Sequence, residues 1–151
     1  SLRQKIKITE QVRAIELDNV ATVYRQGKID FEVAPFFSDL PMRLKNANLL
    51  ITRAGASTVF EAGVAGRPAI LVPLPTSMDD HQTYNAKNFV ECGAGFYFSQ
   101  SEFTSVALAN LLEKVLTDLP QLAVMGKKAR SFANADAAKV MAEIVIAGAK
   151  L

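Results

Sequence analysis

Asp79, Asp80, His81, Gln82 and Asn85 fall within one or two helical turns of one another, just after the apolar run Ala69–Val72. Side chains of these types donate and accept hydrogen bonds in both senses, which suits sugar hydroxyls and phosphate oxygens. Gln82 and Asn85 are spaced i, i+3 and share one face of a helix that starts there. Upstream, Arg53-Ala54-Gly55-Ala56-Ser57-Thr58 follows a second apolar run, Leu49–Thr52, and opens a further helix. Small residues let the backbone approach a ligand closely. The free N–H groups and the dipole of a helix start favour an anion such as phosphate. The same residues also suit ordinary capping. Thr58 and Glu61 spell T-x-x-E, and Asp79 with Gln82 spells a second such pair. Glu61, expected on the first turn, either accepts two hydrogen bonds from a vicinal diol such as ribose hydroxyls or serves as the capping partner of Thr58. The glycine spacing matches neither a P-loop nor a dinucleotide fingerprint.

Phe36-Phe37-Ser38-Asp39-Leu40 offers two aromatics at the end of a strand, fit either to hold a flat base or to pack under the following helix. Cys92 stands late in a helix among apolar neighbours and reads as inert core. His81 is the only histidine, which excludes multi-histidine metal sites. With one cysteine no internal disulfide forms, and a reducing compartment fits. The net charge of +2 implies no long-range attraction to nucleic acid. No apolar run reaches membrane-spanning length and no signal peptide is visible.

These groups are positioned by alternating strands and helices. Strands are expected at Lys5–Val12, Ile29–Ala34, Asn48–Thr52, Ala69–Pro73 and Gly95–Phe98. Helices are expected at Leu17–Gln26, Leu40–Asn46, Thr58–Ala65, Asp80–Cys92 and Ser105–Leu116, then from Leu119 to about Lys150 with a break near Asn134. Short loops between them argue an α/β fold, a Rossmann-like parallel sheet with helices on both faces. The runs NLLI and AILV fit strands buried on both sides. Open sheets of this kind bind ligands at the edge where the strands end. With 151 residues the chain fits a single domain, 1–151.

Taken together, NLLITRAGASTVFEAGVAGRPAILVPLPTSMDDHQTYNA and the preceding PFFSDLP resemble the C-terminal, donor-binding domain of the MurG-type peptidoglycan glycosyltransferases, the C-terminal half of a GT-B enzyme. The resemblance spans about Ile6 to Leu116. It implies an inverting transferase that moves N-acetylglucosamine from UDP-GlcNAc to lipid I, forming lipid II in peptidoglycan synthesis. It also implies site residues. Phe37 stands where a backbone group reads the uracil edge, and Leu40 lines the nucleotide pocket. Ala56, Ser57 and Thr58 meet the diphosphate. Glu61 holds the ribose hydroxyls. Gln82 binds the GlcNAc hydroxyls, with His81 and Asn85 beside it. No metal or cofactor is implied, and no DxD-type motif is present.

The family's opening strand with its glycine-rich loop is missing, as is its N-terminal acceptor domain with the proposed catalytic base. The chain is therefore expected to be a fragment that binds donor without catalysing transfer. Loss of the strand would expose a sheet edge. Lipid I would be met through the missing domain, and the full-length protein would sit on the cytoplasmic face of the bacterial inner membrane as a peripheral protein. The alternatives are another GT-B UDP-sugar enzyme, either a glycolipid glycosyltransferase or a UDP-GlcNAc epimerase, and a non-catalytic nucleotide-sugar-binding module.

Overall fold

The computed structural model describes residues 2–77, 80–133, 142–143 and 145–147. Contacts divide the chain into two compact units, Ser1–Leu40 and Pro41–Leu151. Each carries its own parallel sheet, so the pairing is two-stranded in one and three-stranded in the other rather than one continuous ladder.

In the first unit, β1 (Lys7–Gln11) runs parallel to β2 (Asp30–Ala34), in register from Lys7 opposite Asp30 to Gln11 opposite Ala34. Helix α1 (Leu17–Gln26) makes the crossover. Its Tyr24 ring packs on Phe31 at 5.4 Å between centroids, and the Tyr24 phenol donates to Glu10 Oε2 at 2.6 Å. That bond crosses from the helix back to the strand and fixes the helix over the sheet.

From Pro41, the second residue of the next helix, the second unit takes up the alternation. Helix α2 spans Leu40–Asn46, β3 Leu50–Thr52, α3 Ala56–Ala65, β4 Ala69–Leu71, α4 His81–Glu91, β5 Gly95–Tyr97, α5 Ser105–Leu116 and α6 Leu119–Phe132. The sheet order is β3-β4-β5, all parallel. Side chains of a strand alternate between faces, and the two apolar clusters follow that rule. Ala69 and Leu71, with Leu50 and Tyr97, meet Val59 and Ala62 of α3, Ala86 and Phe89 of α4 and Ala129 of α6. Phe96, with Leu49, meets Leu111, Val115 and Leu116 of α5 and Leu122 and Met125 of α6. Helices thus cover both faces, and all three residues of β4 are buried. The apolar run there is what a strand buried on two sides requires.

Helix ends follow their local chemistry. Gly66 closes α3 in the left-handed conformation at φ 65°, a position glycine holds without a Cβ penalty. Its N–H bonds Gly63 O and the Arg67 N–H bonds Ala62 O, a Schellman closure. Thr104 caps α5 by accepting from Ala107 N, and Asp118 caps α6 by accepting from Gln121 N. Ala133 turns extended and ends α6 at Phe132. The expected break at Asn134 and the continuation to Lys150 lie outside the described residues, apart from short helical pieces at 142–143 and 145–147.

Two expectations concern stability. Gly95 sits so close to β4 that a Cβ there would overlap Ala69 O. Gly95→Ala should lower stability by about 1–3 kcal/mol, read as a lower urea midpoint; an unchanged midpoint would mean the strands tolerate more separation. Burial first, and then the Glu10 carboxylate, push the Tyr24 phenol pKa up. The fold therefore favours the neutral phenol. Its contribution is complete below the ordinary phenol value of about 10 and fades as pH rises through the higher folded value. Alkaline unfolding curves should show a shallower loss of stability for Tyr24→Phe than for the natural chain; parallel losses would deny Tyr24 that role.

Candidate functional site

Because β3, β4 and β5 are parallel, the loops that leave them gather at one edge of the second unit's sheet. Side chains lock these loops together. Arg53, just after β3, points Nη1 at Val72 O and Pro73 O, each at 3.2 Å, and at Gln100 Oε1 at 2.7 Å. One guanidinium thus joins the ends of all three strands. Asn85 of α4 donates Nδ2 to Ala54 O at 3.0 Å. Leu74 N, between Pro73 and Pro75, donates to Gln82 Oε1 at 3.0 Å. The two loop-to-helix junctions singled out in the sequence are therefore neighbours.

The start of α3 differs from the sequence expectation. Gly55 is the N-cap, extended at φ −61° and ψ 144°, and no side chain caps it. The helix begins at Ala56, two residues before Thr58. Thr58 lies inside the first turn, so the T-x-x-E capping box does not form. Helix geometry leaves the N–H groups of Ala56, Ser57 and Thr58 without intrahelical acceptors, the first such bond being Val59 N to Gly55 O at 2.9 Å. Ala56 and Ser57 are exposed and Thr58 is half-buried. Glu61 falls on the second turn instead of the first, exposed, on the same face as Ser57 four residues earlier. The arrangement is an open helix start followed by a solvent-facing carboxylate.

Helix α4 begins beside it. Asp80 is its N-cap in the left-handed region at φ 54°, and its Oδ1 accepts from the Thr83 hydroxyl at 2.6 Å. An aspartate tolerates that conformation better than most residues. His81 opens the helix and is exposed. Gln82 and Asn85 are half-buried. Each has one end of its amide committed to backbone, which leaves the Gln82 NH₂ as donor and the Asn85 carbonyl as acceptor. Asp79, and with it the Asp79–Gln82 capping pair, lies outside the described residues. The Ser77 hydroxyl oxygen, in the same loop, is buried without a partner among the described residues.

Phe37 and Leu40 belong to the first unit. Phe37 is buried, whereas Phe36 is 72% exposed and Leu40, the first residue of α2, is 39% exposed. Cys92 is exposed, not core. It stands at the C-cap of α4, beyond the packed stretch of the helix, and its thiol donates to Phe89 O at 3.0 Å.

Sequence reasoning passed over Arg53 as a bridging residue, and Gln100. It also passed over the loop after β5. There Ser99 donates its hydroxyl to Glu102 at 2.6 Å and its N–H at 3.1 Å, bonds that hold the Glu102 carboxyl below its ordinary value. The spacing Ser-x-x-Glu was the available signal. Among the described residues no group of three or more His, Cys, Asp or Glu is placed to hold a metal.

Known proteins are similar to this chain in sequence and fold. Residues 1–141 match the glycosyltransferase family 28 C-terminal domain. The UDP-N-acetylglucosamine–N-acetylmuramyl-(pentapeptide) pyrophosphoryl-undecaprenol N-acetylglucosamine transferase of Nitrobacter hamburgensis is 41% identical over 150 residues, 99% of this chain and 40% of that protein. The enzyme of the same name from Rhodospirillum centenum is 44% identical, again over 99% of this chain and 40% of its own length. The crystal structure of Acinetobacter baumannii MurG superposes with a TM-score of 0.83 at 34% identity, covering 92% of this chain and 40% of that one. The glycotransferase of kitacinnamycin, at 14% identity and a TM-score of 0.58, shares the fold alone. The chain spans about 40% of the length of these enzyme relatives. With the match running through the sheet, the open helix start and the helices beyond, the chain belongs to the glycosyltransferase family 28 C-terminal domain family.

Proposed function

We propose that residues 1–151 form one UDP-sugar-binding domain, the donor half of an inverting transferase that moves N-acetylglucosamine from UDP-GlcNAc to lipid I and yields lipid II. The observation that carries this reading is the uncapped start of α3 beside the Gln82 and Asn85 amides, with Glu61 exposed one turn on. The two transferase relatives are named as N-acetylglucosamine transferases of UDP-N-acetylglucosamine and N-acetylmuramyl-(pentapeptide) pyrophosphoryl-undecaprenol, which supports the reading.

In this reading the N–H groups of Ala56, Ser57 and Thr58 take the diphosphate, and Glu61 accepts from both ribose hydroxyls. The base contacts that the resemblance implies for Phe37 and Leu40 belong to the first unit. The Gln82 NH₂ donates to a GlcNAc hydroxyl, flanked by His81 and the Asn85 carbonyl. As the acceptor hydroxyl attacks the anomeric carbon, the bond to the UDP oxygen breaks and negative charge gathers on the diphosphate. The α3 start is the group on this chain that offsets that charge. The base that takes the acceptor proton is assigned to another part of a longer protein, as is the lipid I site. The longer protein is placed on the cytoplasmic face of the inner membrane as a peripheral enzyme. No helix among the described residues is long and apolar enough to cross a membrane.

Calorimetric titration of UDP-GlcNAc, UDP-glucose and GDP-mannose into the chain tests the reading. Uridine-selective binding is expected, and Glu61→Ala should weaken it about ten-fold, the scale of one charge-assisted hydrogen bond. Equal affinity for all three nucleotides would sink the assignment. Gln82 needs two variants, because its carbonyl also serves Leu74 N. Gln82→Glu keeps an acceptor for Leu74 and removes the donor, so it should erase the preference for GlcNAc while leaving uridine binding in place. A loss confined to Gln82→Ala would instead make Gln82 a loop-positioning residue. Arg53→Met, which frees Val72 O, Pro73 O and Gln100, should lower stability by about 1–3 kcal/mol and weaken every UDP-sugar alike. A change in sugar preference would argue that Arg53 touches the donor directly.

A further inference from the structure

At the opposite end of the same sheet, where β3 and β4 begin, the second unit holds a cavity of about 420 Å³. Asn48 and Pro68, which precede those strands, line one side, and Leu122, Lys127 and Arg130 of α6 line the other, with Arg67 between. Three cations share this concavity, and among the described residues no carboxylate lines it. Asp118, at the start of α6, spends its carboxylate on Gln121 N.

The two arginines make few bonds to the protein. Arg67 donates Nη2 to Lys45 O, but its Nε is buried without a partner among the described residues. Arg130 reaches Ala65 O through Nη2 only at 3.4 Å, the long limit of a hydrogen bond. A buried donor left unmade costs more than a made bond returns. Like charges gathered in a partly enclosed space also repel one another more strongly than in water. The repulsion is relieved by one kind of ligand, a compact anion with several acceptor oxygens. Guanidinium groups match phosphate oxygens in a fork geometry, and Lys127 and the Asn48 amide add donors at the rim.

We propose that this cavity binds a phosphate-bearing anion, either a free phosphate group or the headgroup of an anionic lipid, at a site separate from the donor edge. The proposal does not depend on the transferase reading.

Two probes separate the sources: inorganic phosphate, followed by the arginine side-chain NMR signals of the 151-residue chain, and co-sedimentation with phosphatidylglycerol vesicles against pure phosphatidylcholine vesicles. Saturable shifts of the Arg67 and Arg130 signals with phosphate, weakened about ten-fold in Arg130→Gln and in Lys127→Gln, support a free phosphate site. Sedimentation that needs phosphatidylglycerol and is lost in the same variants, without a phosphate response, supports the headgroup. Lys128→Gln removes an exposed charge outside the cavity and should leave either response intact. Glu61→Ala should do the same, since it alters only the donor edge. No response to either probe overturns the proposal. So does a response that Lys128→Gln weakens as much as Arg130→Gln does, because that marks diffuse charge attraction.

Discussion

The donor edge depends on how one guanidinium is shared. A parallel sheet ends with carbonyl groups that have no further strand to bond, and a buried carbonyl without a donor is costly. Val72 O and Pro73 O are two such groups, and both take Arg53 Nη1. The same nitrogen then reaches Gln100, beyond β5. That nitrogen carries two hydrogens, so its three acceptors share them, one bond being bifurcated. With Arg53 in place the loops after β3, β4 and β5 have one relative arrangement, and the starts of α3 and α4 inherit it.

What remains uncommitted after that locking gives the site its character. Asn85 uses its NH₂ on Ala54 O, and Gln82 uses its carbonyl on Leu74 N. Each amide is oriented by one end and open at the other. The α3 start is held open in a different way, by the absence of a capping side chain at Gly55. Small residues make this possible: Ala54, Ala62, Ala69 and Ala86 are fully buried, so α3 and α4 pack close to β4 and bring their first turns together. The edge is rigid where backbone must be satisfied and unsatisfied where a ligand would add bonds.

Much of this was legible in the sequence, and the exceptions have physical causes. The buried run at Ala69–Leu71, the glycine closure at Gly66 and the alternation of elements all rest on local pattern and stand as expected; the run NLLI does not, because β3 lies at the end of the order β3-β4-β5, Leu50 is half-buried and Ile51 is 48% exposed. The α3 start was set two residues late because Ala56 and Ser57 suit a loop as well as a first turn, and T-x-x-E imitates a cap that Gly55 supplies instead. Cys92 reads as core by its neighbours, but the end of α4 carries it outward. The tie from Arg53 to Gln100 joins residues 47 apart in sequence, and no periodicity reports such a pair. The division of the strands into two sheets is likewise a matter of pairing, which composition does not encode.

The second unit is also electrostatically polar from end to end. Helix α3 points its N-terminus at the donor edge and its C-terminus, at Gly66, toward the cavity. A helix carries roughly half a positive charge at its start and half a negative charge at its end. Anions are therefore favoured at the donor edge, and cations at the other end. That dipole accounts for one cation near Ala65 O, the role Arg130 partly fills. It does not account for three. Half a negative charge leaves Arg67, Lys127 and Arg130 with an excess of positive charge, and a bound anion would reduce the repulsion among them.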